Sequence, residues 1–186
     1  MFADWNEIRE LLARSPHPLG EMPLRGIDTT EAEALRVMLG REIPSDLSQW
    51  LHIANGLCAG PGGLFGFGIS EEHLDIEFLW SLFPDWRARG WIPVAGDGCG
   101  NYYVLAIQGE CAESSPVIFV ETPGAADTGV DTGAYVVASS LAHFLRFYLE
   151  DDIVRTGWPF DEKYVRDRDP AIVNFSSLTL PWDAPA

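Results

Sequence analysis

The chain has 186 residues, 47% of them hydrophobic, and carries 28 acidic against 12 basic side chains, for a formal net charge of −16. This hydrophobic fraction excludes an intrinsically disordered chain, and the length suits one domain with a sizeable core. Nucleic acid and anionic lipid are excluded as partners, because phosphate groups are bound by clustered Lys and Arg. The acids favour a basic protein partner, although an acidic surface also serves solubility alone.

The sequence gives no sign of a membrane-spanning segment or an export signal. No run approaches the ~18 apolar residues that a membrane helix needs. The first residues include Asp4 and Glu7, where a signal peptide has a basic region followed by an apolar stretch. We therefore expect a cytoplasmic protein that contacts no membrane.

Neither the cysteines nor the histidines form a recognisable metal or disulfide pattern. The three cysteines are odd in number and lack a CxxC pair, which argues against a disulfide framework or a zinc site. The four histidines are far apart and form no HxxxH or HExxH pair. The sequence therefore predicts no metal and no cofactor.

Three helices are predicted in the N-terminal third, over residues 4–15, 30–39 and 44–54. The second begins with a capping box made by Thr30 and Glu33, and Gly40 can close it. The third has apolar residues at helical spacing, and Asn55-Gly56 supplies a left-handed end.

Strands dominate the middle of the chain. Short β-branched or aromatic runs, separated by Gly, Pro or polar residues, predict strands at residues 64–69, 92–95, 102–107, 117–121 and 135–137. Ser70 is predicted to cap an acidic helix that runs to Leu82. A longer helix follows Ser139 or Ser140 and continues to Leu149, and an amphipathic element covers residues 161–169.

The order of these elements, helices, then strands, then helices, is typical of an α+β fold. We expect a mainly antiparallel central sheet of about four to six strands, flanked by N- and C-terminal helices. No repeat, linker or low-complexity segment marks a second domain, so residues 1–186 are predicted to form one domain.

The glycine-rich stretch Gly96-Asp97-Gly98-Cys99-Gly100-Asn101 admits a nucleotide-binding interpretation at first sight. A dinucleotide-binding turn places its glycines between a strand and a helix, so that the helix N-terminus meets the pyrophosphate. Here the glycines lead into Tyr102-Tyr103-Val104-Leu105, which is a strand by composition. The stretch is therefore predicted to be the loop of a β-hairpin, with the glycines supplying positive φ.

Several pieces in this order resemble the SUKH superfamily, the bacterial immunity proteins related to a fungal regulator of cell-wall assembly. The resemblance covers residues 31–149, with residues 150–186 as a C-terminal extension. It rests on a leucine helix ending at Gly40, the segment Ile43-Pro44-Ser45-Asp46-Leu47 with Trp50-Leu51, Asn55-Gly56, Gly63-Leu64-Phe65-Gly66-Phe67, Trp91-Ile92-Pro93-Val94-Ala95-Gly96-Asp97-Gly98, the strand at residues 117–121 and the helix ending at Leu149.

The resemblance implies a non-catalytic module that docks on a secreted toxin and blocks it inside the producing cell. A nuclease toxin is favoured, because its basic cleft would accept an acidic binder as a phosphate mimic. Two other interpretations stay open: an adaptor in cell-envelope or signalling control, and a charged surface without a binding role. The candidate contact residues lie beside a strand and in the hairpin loop: Glu71, Glu72, Asp75, Glu77, Asp97 and Asn101.

An enzyme is the remaining class. The nearest approach to a catalytic constellation is Ser139-Ser140 with His143, which helical spacing places within one turn. Serine at this position is also an ordinary helix cap, and no Gly-x-Ser-x-Gly elbow accompanies it. We therefore expect no catalysis.

Overall fold

The computed structural model describes residues 5–16, 24–108, 115–121, 134–154, 159–175 and 178–183. The helices in these ranges are α1 (Trp5–Arg14), α2 (Thr29–Leu39), α3 (Ser45–Ile53), α4 (Ile76–Leu82), α5 (Pro84–Ala88), α6 (Leu141–Val154) and α7 (Glu162–Arg168), with short 3-10 helices at Glu72–Leu74 and Pro170–Phe175. The strands are β1 (Trp91–Gly96), β2 (Tyr102–Ala106), β3 (Val117–Val120) and β4 (Ala134–Ala138).

The four strands form one antiparallel sheet in the order β1-β2-β3-β4. Trp91 pairs with Ala106, Tyr102 with Val120, and Val120 with Ala134, so each strand returns beside the one before it. This confirms the predicted α+β class, with the strand number at the low end of the expected range. It also confirms the hairpin, because β2 and not a helix follows the glycine-rich loop.

The sheet is covered on both faces by aromatic side chains. Tyr102 and Tyr103 are neighbours in β2 and therefore point to opposite faces. The Tyr102 ring contacts Phe83 and Trp86, the second of which belongs to α5, at centroid distances of 5.3 and 5.4 Å. The Tyr103 ring contacts Phe144 of α6 at 4.8 Å. Helix α6 therefore forms the main core on one face, and α5 closes the other.

Elements at both ends of the chain are attached to α6 and β4. An ion pair of 2.9 Å joins Glu7 of α1 to Arg146 of α6. The Val136 N–H of β4 donates to the Thr179 carbonyl at 2.9 Å, which satisfies part of the exposed strand edge. None of the helices within the described ranges is both long enough and apolar enough to span a membrane.

Two predicted helix ends were misplaced. Helix α2 is capped by Asp28, whose side chain accepts from the Glu31 N–H while the Glu31 carboxylate accepts from the Asp28 N–H. The capping box therefore uses Asp28 and Glu31 in place of Thr30 and Glu33. Helix α3 ends at Ile53 with Ala54 in extended backbone, so Asn55 is not its left-handed cap.

Asn55 instead holds a neighbouring segment in place. Its side chain accepts from the Phe67 N–H at 2.8 Å and donates to the Phe67 carbonyl at 2.9 Å. Asn55 is buried, and it satisfies two backbone groups that have no ladder partner, since residues 64–69 do not form the predicted strand. That segment makes only isolated bridges, such as Leu64 with Ala95 at the edge of β1.

The predicted helix from Ser70 to Leu82 is divided in two. A 3-10 turn at Glu72–Leu74 precedes α4, and Asp75 lies between them as the N-cap of α4. Ser70 does not cap either helix; its hydroxyl donates to the Glu71 carboxylate at 2.9 Å. Asp75 displaces Ser70 because its carboxylate reaches the first turn of α4 directly.

Candidate functional site

The acidic segment, residues 71–77, holds four of the predicted contact residues. Glu72 and Glu77 are exposed and Glu71 is half-buried. Asp75 is only 6% exposed. Its two carboxylate oxygens accept from the Ile69 N–H at 3.1 Å and the Phe78 N–H at 3.0 Å. The three glutamates therefore offer charge to solvent, whereas the Asp75 carboxylate is already occupied by backbone groups.

The hairpin loop, residues 97–101, brings the other two predicted residues into direct contact. One oxygen of Asp97 accepts from the N–H groups of Cys99 at 2.7 Å and Asn101 at 2.9 Å. The other oxygen accepts from the Asn101 side-chain amide at 2.7 Å. The Asp97 side chain therefore organises the loop between β1 and β2, and its charge stays at the surface of the loop.

The glycines of the hairpin loop are needed for close packing on a second turn, residues 60–63. A Cβ on Gly62 would lie 2.5 Å from the Gly98 nitrogen, and a Cβ on Gly98 would lie 2.5 Å from the Pro61 carbonyl oxygen. Gly98 also has φ of +77°, which L side chains rarely adopt. The glycine pattern that suggested a nucleotide-binding turn therefore allows the backbone of the hairpin loop to pack directly on the backbone of residues 60–63, a contact that we call the junction.

Tyr148 of α6 holds this junction from the core side. Its hydroxyl donates to the Gly96 carbonyl at 2.9 Å and accepts a longer bond of 3.4 Å from the Gly62 N–H. One side chain thus fixes both turns against α6.

Beside this junction lies a cleft of about 490 Å³, which we call the acidic aromatic cleft. Its lining residues come from the two turns, from β2 and β3, from α6 and from the segment before α7: Gly60, Pro61, Asp97, Cys99, Tyr103, Phe119, Tyr148, Asp151, Asp152 and Pro159. Among the described residues that line the cleft, three are aspartates, three are aromatic and none is Lys or Arg. The cleft includes Asp97 but no residue of the acidic segment.

Burial raises the pKa of Tyr103 and of Tyr148 well above the ordinary value, and nearby acidic charges add to the effect. Burial also raises the pKa of Tyr135, whose ring packs on Phe119, to about 12. These hydroxyls therefore keep their protons at any physiological pH, and the negative charge of the cleft comes from carboxylates alone.

Sequence reasoning missed most of this cleft. The sequence places Tyr148 in the predicted helix that continues to Leu149, and Tyr103 in the predicted strand at residues 102–107. A signal was present in the run Glu150-Asp151-Asp152, since acids near the C-terminal end of a helix oppose its dipole. The convergence of α6 with the two turns depends on tertiary contacts that no local pattern carries.

A buried polar cluster occupies the start of α6. The Asp169 carboxylate is fully buried and accepts from the Ser139 N–H at 2.7 Å and the Ser139 hydroxyl at 2.5 Å. The Nδ1 atom of His143 lies 3.0 Å from the Ser140 hydroxyl and 3.6 Å from Asp169. Serine and aspartate thus approach the same ring nitrogen, whereas a catalytic triad places them on opposite nitrogens.

In the part of the chain that the structure describes, no group of three or more His, Cys, Asp or Glu side chains is placed to hold a metal ion. Cys58 and Cys99 are free thiols, and Cys111 lies outside the described residues. The absence of a cofactor stays a prediction.

Comparison with protein-family models matches residues 26–146 to the SMI1/KNR4 family (SUKH-1). The chain belongs to this family. A comparison with curated proteins gave no match. The family match confirms the resemblance drawn from the sequence, and membership in SUKH-1 supports an immunity or regulatory role.

The family match divides the acidic aromatic cleft. The two turns, Tyr103 and Phe119 lie inside the matched residues, whereas Tyr148, Asp151 and Asp152 lie beyond residue 146. The matched region therefore supplies the turns and part of the aromatic wall, and residues beyond it supply two of the three aspartates.

Proposed function

We propose that the chain is a non-catalytic protein-binding module, an immunity protein that neutralises a cognate bacterial toxin by docking on it in the cytoplasm of the producing cell. Membership in SUKH-1 is the observation that carries the proposal. The net charge of −16 supports a basic partner, and the basic substrate cleft of a nuclease toxin would be a suitable surface.

Two acidic surfaces are available for docking. The acidic segment presents Glu72 and Glu77 to solvent, with Glu71 half-buried beside them. The hairpin loop presents a half-buried Asp97 in the lining of the cleft. Exposed charges act over a distance and raise the rate of encounter with a partner of opposite sign. We assign the acidic segment to this steering role.

The absence of catalysis belongs to the proposal and is supported by the cluster at the start of α6. A serine nucleophile gives its proton to one nitrogen of the imidazole, while an orienting acid holds the other nitrogen. Here Ser140 and Asp169 both face Nδ1 of His143. The cluster instead attaches the C-terminal extension to α6, since Asp169 lies in that extension and satisfies the Ser139 N–H.

The test requires a toxin gene beside the gene for this chain and uses the toxin domain that such a gene encodes. Co-expression should restore growth to cells that produce the toxin domain, and surface plasmon resonance should show direct binding that weakens with salt. The Debye length falls from ~10 Å at 0.1 M salt to ~3 Å at 1 M, which removes long-range attraction. No rescue and no binding would contradict an immunity role and leave the adaptor interpretation.

The charge-reversed variant E71K/E72K/E77K separates steering from contact. It should slow association more than it speeds dissociation, because exposed charges act mainly on the encounter rate. Asp75 is left intact because its carboxylate holds two N–H groups. The matched control is E33K/E42K/D85K, which makes the same charge change at exposed positions elsewhere. Equal slowing in both variants would indicate net charge alone.

A further inference from the structure

We propose that the outer face of α4 and the turn after it form the docking centre for a protein partner whose surface has apolar side chains ringed by Lys or Arg. We call this surface the outer α4 patch and define it by Phe78, Leu82, Phe83 and Tyr102. The inference rests on the proposed function, because it names the surface that holds a basic partner. The acidic segment then raises the encounter rate, and the patch gives the contact that holds the complex together.

The first argument is that α4 leaves apolar side chains outside the core. Its inner face, Ile76, Leu79 and Trp80, is buried. Phe78 and Leu82 are four residues apart and are therefore neighbours on the opposite side of the helix. Leu82 is 53% exposed, and Phe78 is half-buried without belonging to the hydrophobic core of the described residues. Exposed apolar side chains that lie together mark interaction surfaces, whereas single ones are ordinary.

The second argument is the aromatic cluster beside Leu82. Phe83 follows Leu82 in sequence and stacks on Trp86 at a centroid distance of 4.2 Å. The Tyr102 ring contacts both rings edge-on, at 5.3 and 5.4 Å. Phe83 and Tyr102 are half-buried, so part of each ring faces solvent, and the buried Trp86 holds both in place. Fixed aromatic side chains of this kind are among those that dominate the binding energy of interfaces.

The third argument is the sign of the charges around the patch. Glu77 precedes Phe78 in α4, and Asp85 lies in α5 directly after the patch. Both acids are exposed, and neither forms an ion pair with any residue in the described ranges. Burial raises the pKa of the Tyr102 hydroxyl, and the charge of Asp97 adds to the rise, which places Asp97 near this ring. The patch therefore combines an apolar centre with acids around it, and a partner with the opposite charge on its rim is complementary.

Two arginines follow the patch in sequence, and both are directed to other elements. The Arg87 guanidinium donates to the Met38 carbonyl at 2.8 Å, and the Arg89 guanidinium lies 5.0 Å from the centre of the Trp91 ring. Within the described ranges, a Lys or Arg of the partner would therefore displace no ion pair of the chain when it approaches Glu77 or Asp85.

The first experiment needs no toxin. The probe is the peptide acetyl-Lys-Leu-Lys-Phe-Lys-amide, and NMR on the full ¹³C-labelled chain should show saturable shifts of the Leu82 methyl and Tyr102 ring signals. The peptide acetyl-Lys-Ser-Lys-Ser-Lys-amide has the same charge without the apolar side chains and should bind about tenfold more weakly. Replacing every Lys of the first peptide with Glu should also weaken binding about tenfold, because it reverses the charge. Equal binding of any two of these peptides, where tenfold is expected, or no shift at Leu82, would overturn the proposal.

Variants of the chain locate the site. L82S should weaken binding of the Lys-Leu-Lys-Phe-Lys peptide about threefold, and F78S/L82S about tenfold, because each removes apolar area that the peptide covers. The matched control is V37S/V154S, which truncates two valines that are 68% and 66% exposed outside the patch and should leave affinity unchanged. If the control weakens binding as much as F78S/L82S, the peptide adheres to any apolar side chain and the proposal fails. Thermal melts check that each variant is folded, and the exposed position of Leu82 lets L82S decide if the double variant is not.

The second experiment uses the toxin domain and separates this inference from the immunity role. In surface plasmon resonance, L82S should speed dissociation about threefold and leave the association rate unchanged, the reverse of the effect expected for E71K/E72K/E77K. If the peptide binds at the patch but the toxin domain neither binds nor is neutralised, the docking surface stands and the immunity role fails. If the toxin domain binds L82S and F78S/L82S as tightly as the parent chain, immunity stands and the docking surface is overturned.

Discussion

The hairpin loop and the acidic segment are both short, polar stretches with acids, and both were predicted to contact a partner. They differ in what their carboxylates do. In the hairpin loop, both Asp97 oxygens are occupied by groups of the loop itself. In the acidic segment only Asp75 is occupied in this way, and Glu72 and Glu77 face solvent.

The contrast within the acidic segment is the more instructive. Asp75 and Glu77 are two residues apart, yet one is buried and the other exposed. The short Asp75 side chain at the N-cap reaches the Phe78 N–H, three residues ahead. Glu77 lies one residue into α4 and points away from the core. Position relative to a helix start, rather than charge, decides which acid is structural.

The junction behind the hairpin loop should be the most sensitive to substitution. Gly62→Ala should destabilise the fold by about 3 kcal/mol, at the upper end of overpacking costs, because the new methyl group would meet backbone atoms that cannot move independently. Gly100→Ala is the matched control: it also lies in the loop, but a Cβ there meets nothing within 4 Å. Its φ of +97° should cost only about 1–2 kcal/mol.

Equilibrium unfolding in guanidinium chloride measures both variants, with unchanged m-values as the check on two-state behaviour. A Gly62→Ala variant as stable as Gly100→Ala would mean that the two turns can separate. The hairpin loop would then be free to move like an ordinary surface loop. It would no longer differ from the acidic segment in being fixed by its own contacts.

A paired alanine experiment tests the division within the acidic segment. Asp75→Ala should cost about 2 kcal/mol, because it removes the helix cap and leaves the Ile69 and Phe78 N–H groups without their acceptor. Glu77→Ala should change stability by less than about 0.5 kcal/mol, as is usual for an exposed charge. Thermal melts at matched protein concentration decide; equal losses would show that Glu77 has a structural contact of its own.

Much of the fold could be predicted because local pattern determines it. The four strands alternate with Gly, Pro and polar turns, and α6 starts where Ser140 can accept from the His143 N–H. Errors arose where a pattern occurred twice. Asp28 with Glu31 and Thr30 with Glu33 both have capping-box spacing, and only the first is used. The sequence offers no local means of choosing between them.

The candidate site was harder to predict, because its contacts join distant parts of the chain. The sequence predicts Asn55 as a helix end, but its side chain is hydrogen-bonded to the backbone N–H and carbonyl of Phe67. The sequence pattern predicts Tyr148 as a core residue. In the structure its hydroxyl is hydrogen-bonded to Gly62 and Gly96, which are more than fifty residues away in sequence. Side chains with both an apolar body and a polar tip satisfy either role, and only the fold shows which groups the tip reaches.

The smallest expected effect concerns whether the Asp97 charge is needed for structure at all. Asp97→Asn keeps an oxygen that can accept the Cys99 and Asn101 N–H groups, and the Asn101 side chain can rotate to present its own oxygen to the new amide. The loss should be about 1 kcal/mol, since hydrogen bonds to a neutral acceptor are weaker than those to a carboxylate. Asp97→Ala, which removes the acceptors entirely, should cost about 2 kcal/mol.

The binding measurement completes this prediction. If the Asp97 charge also takes part in docking, D97N should slow association with the toxin domain in surface plasmon resonance, while the folded state loses only about 1 kcal/mol. Stability and binding would then separate at one residue, with the oxygens serving the loop and the charge serving the partner. A D97N variant that loses about 2 kcal/mol, the loss expected of D97A, would show instead that the loop itself requires the charge. Asp97 would then belong with Asp75 as a structural acid, and the steering role would rest on Glu71, Glu72 and Glu77.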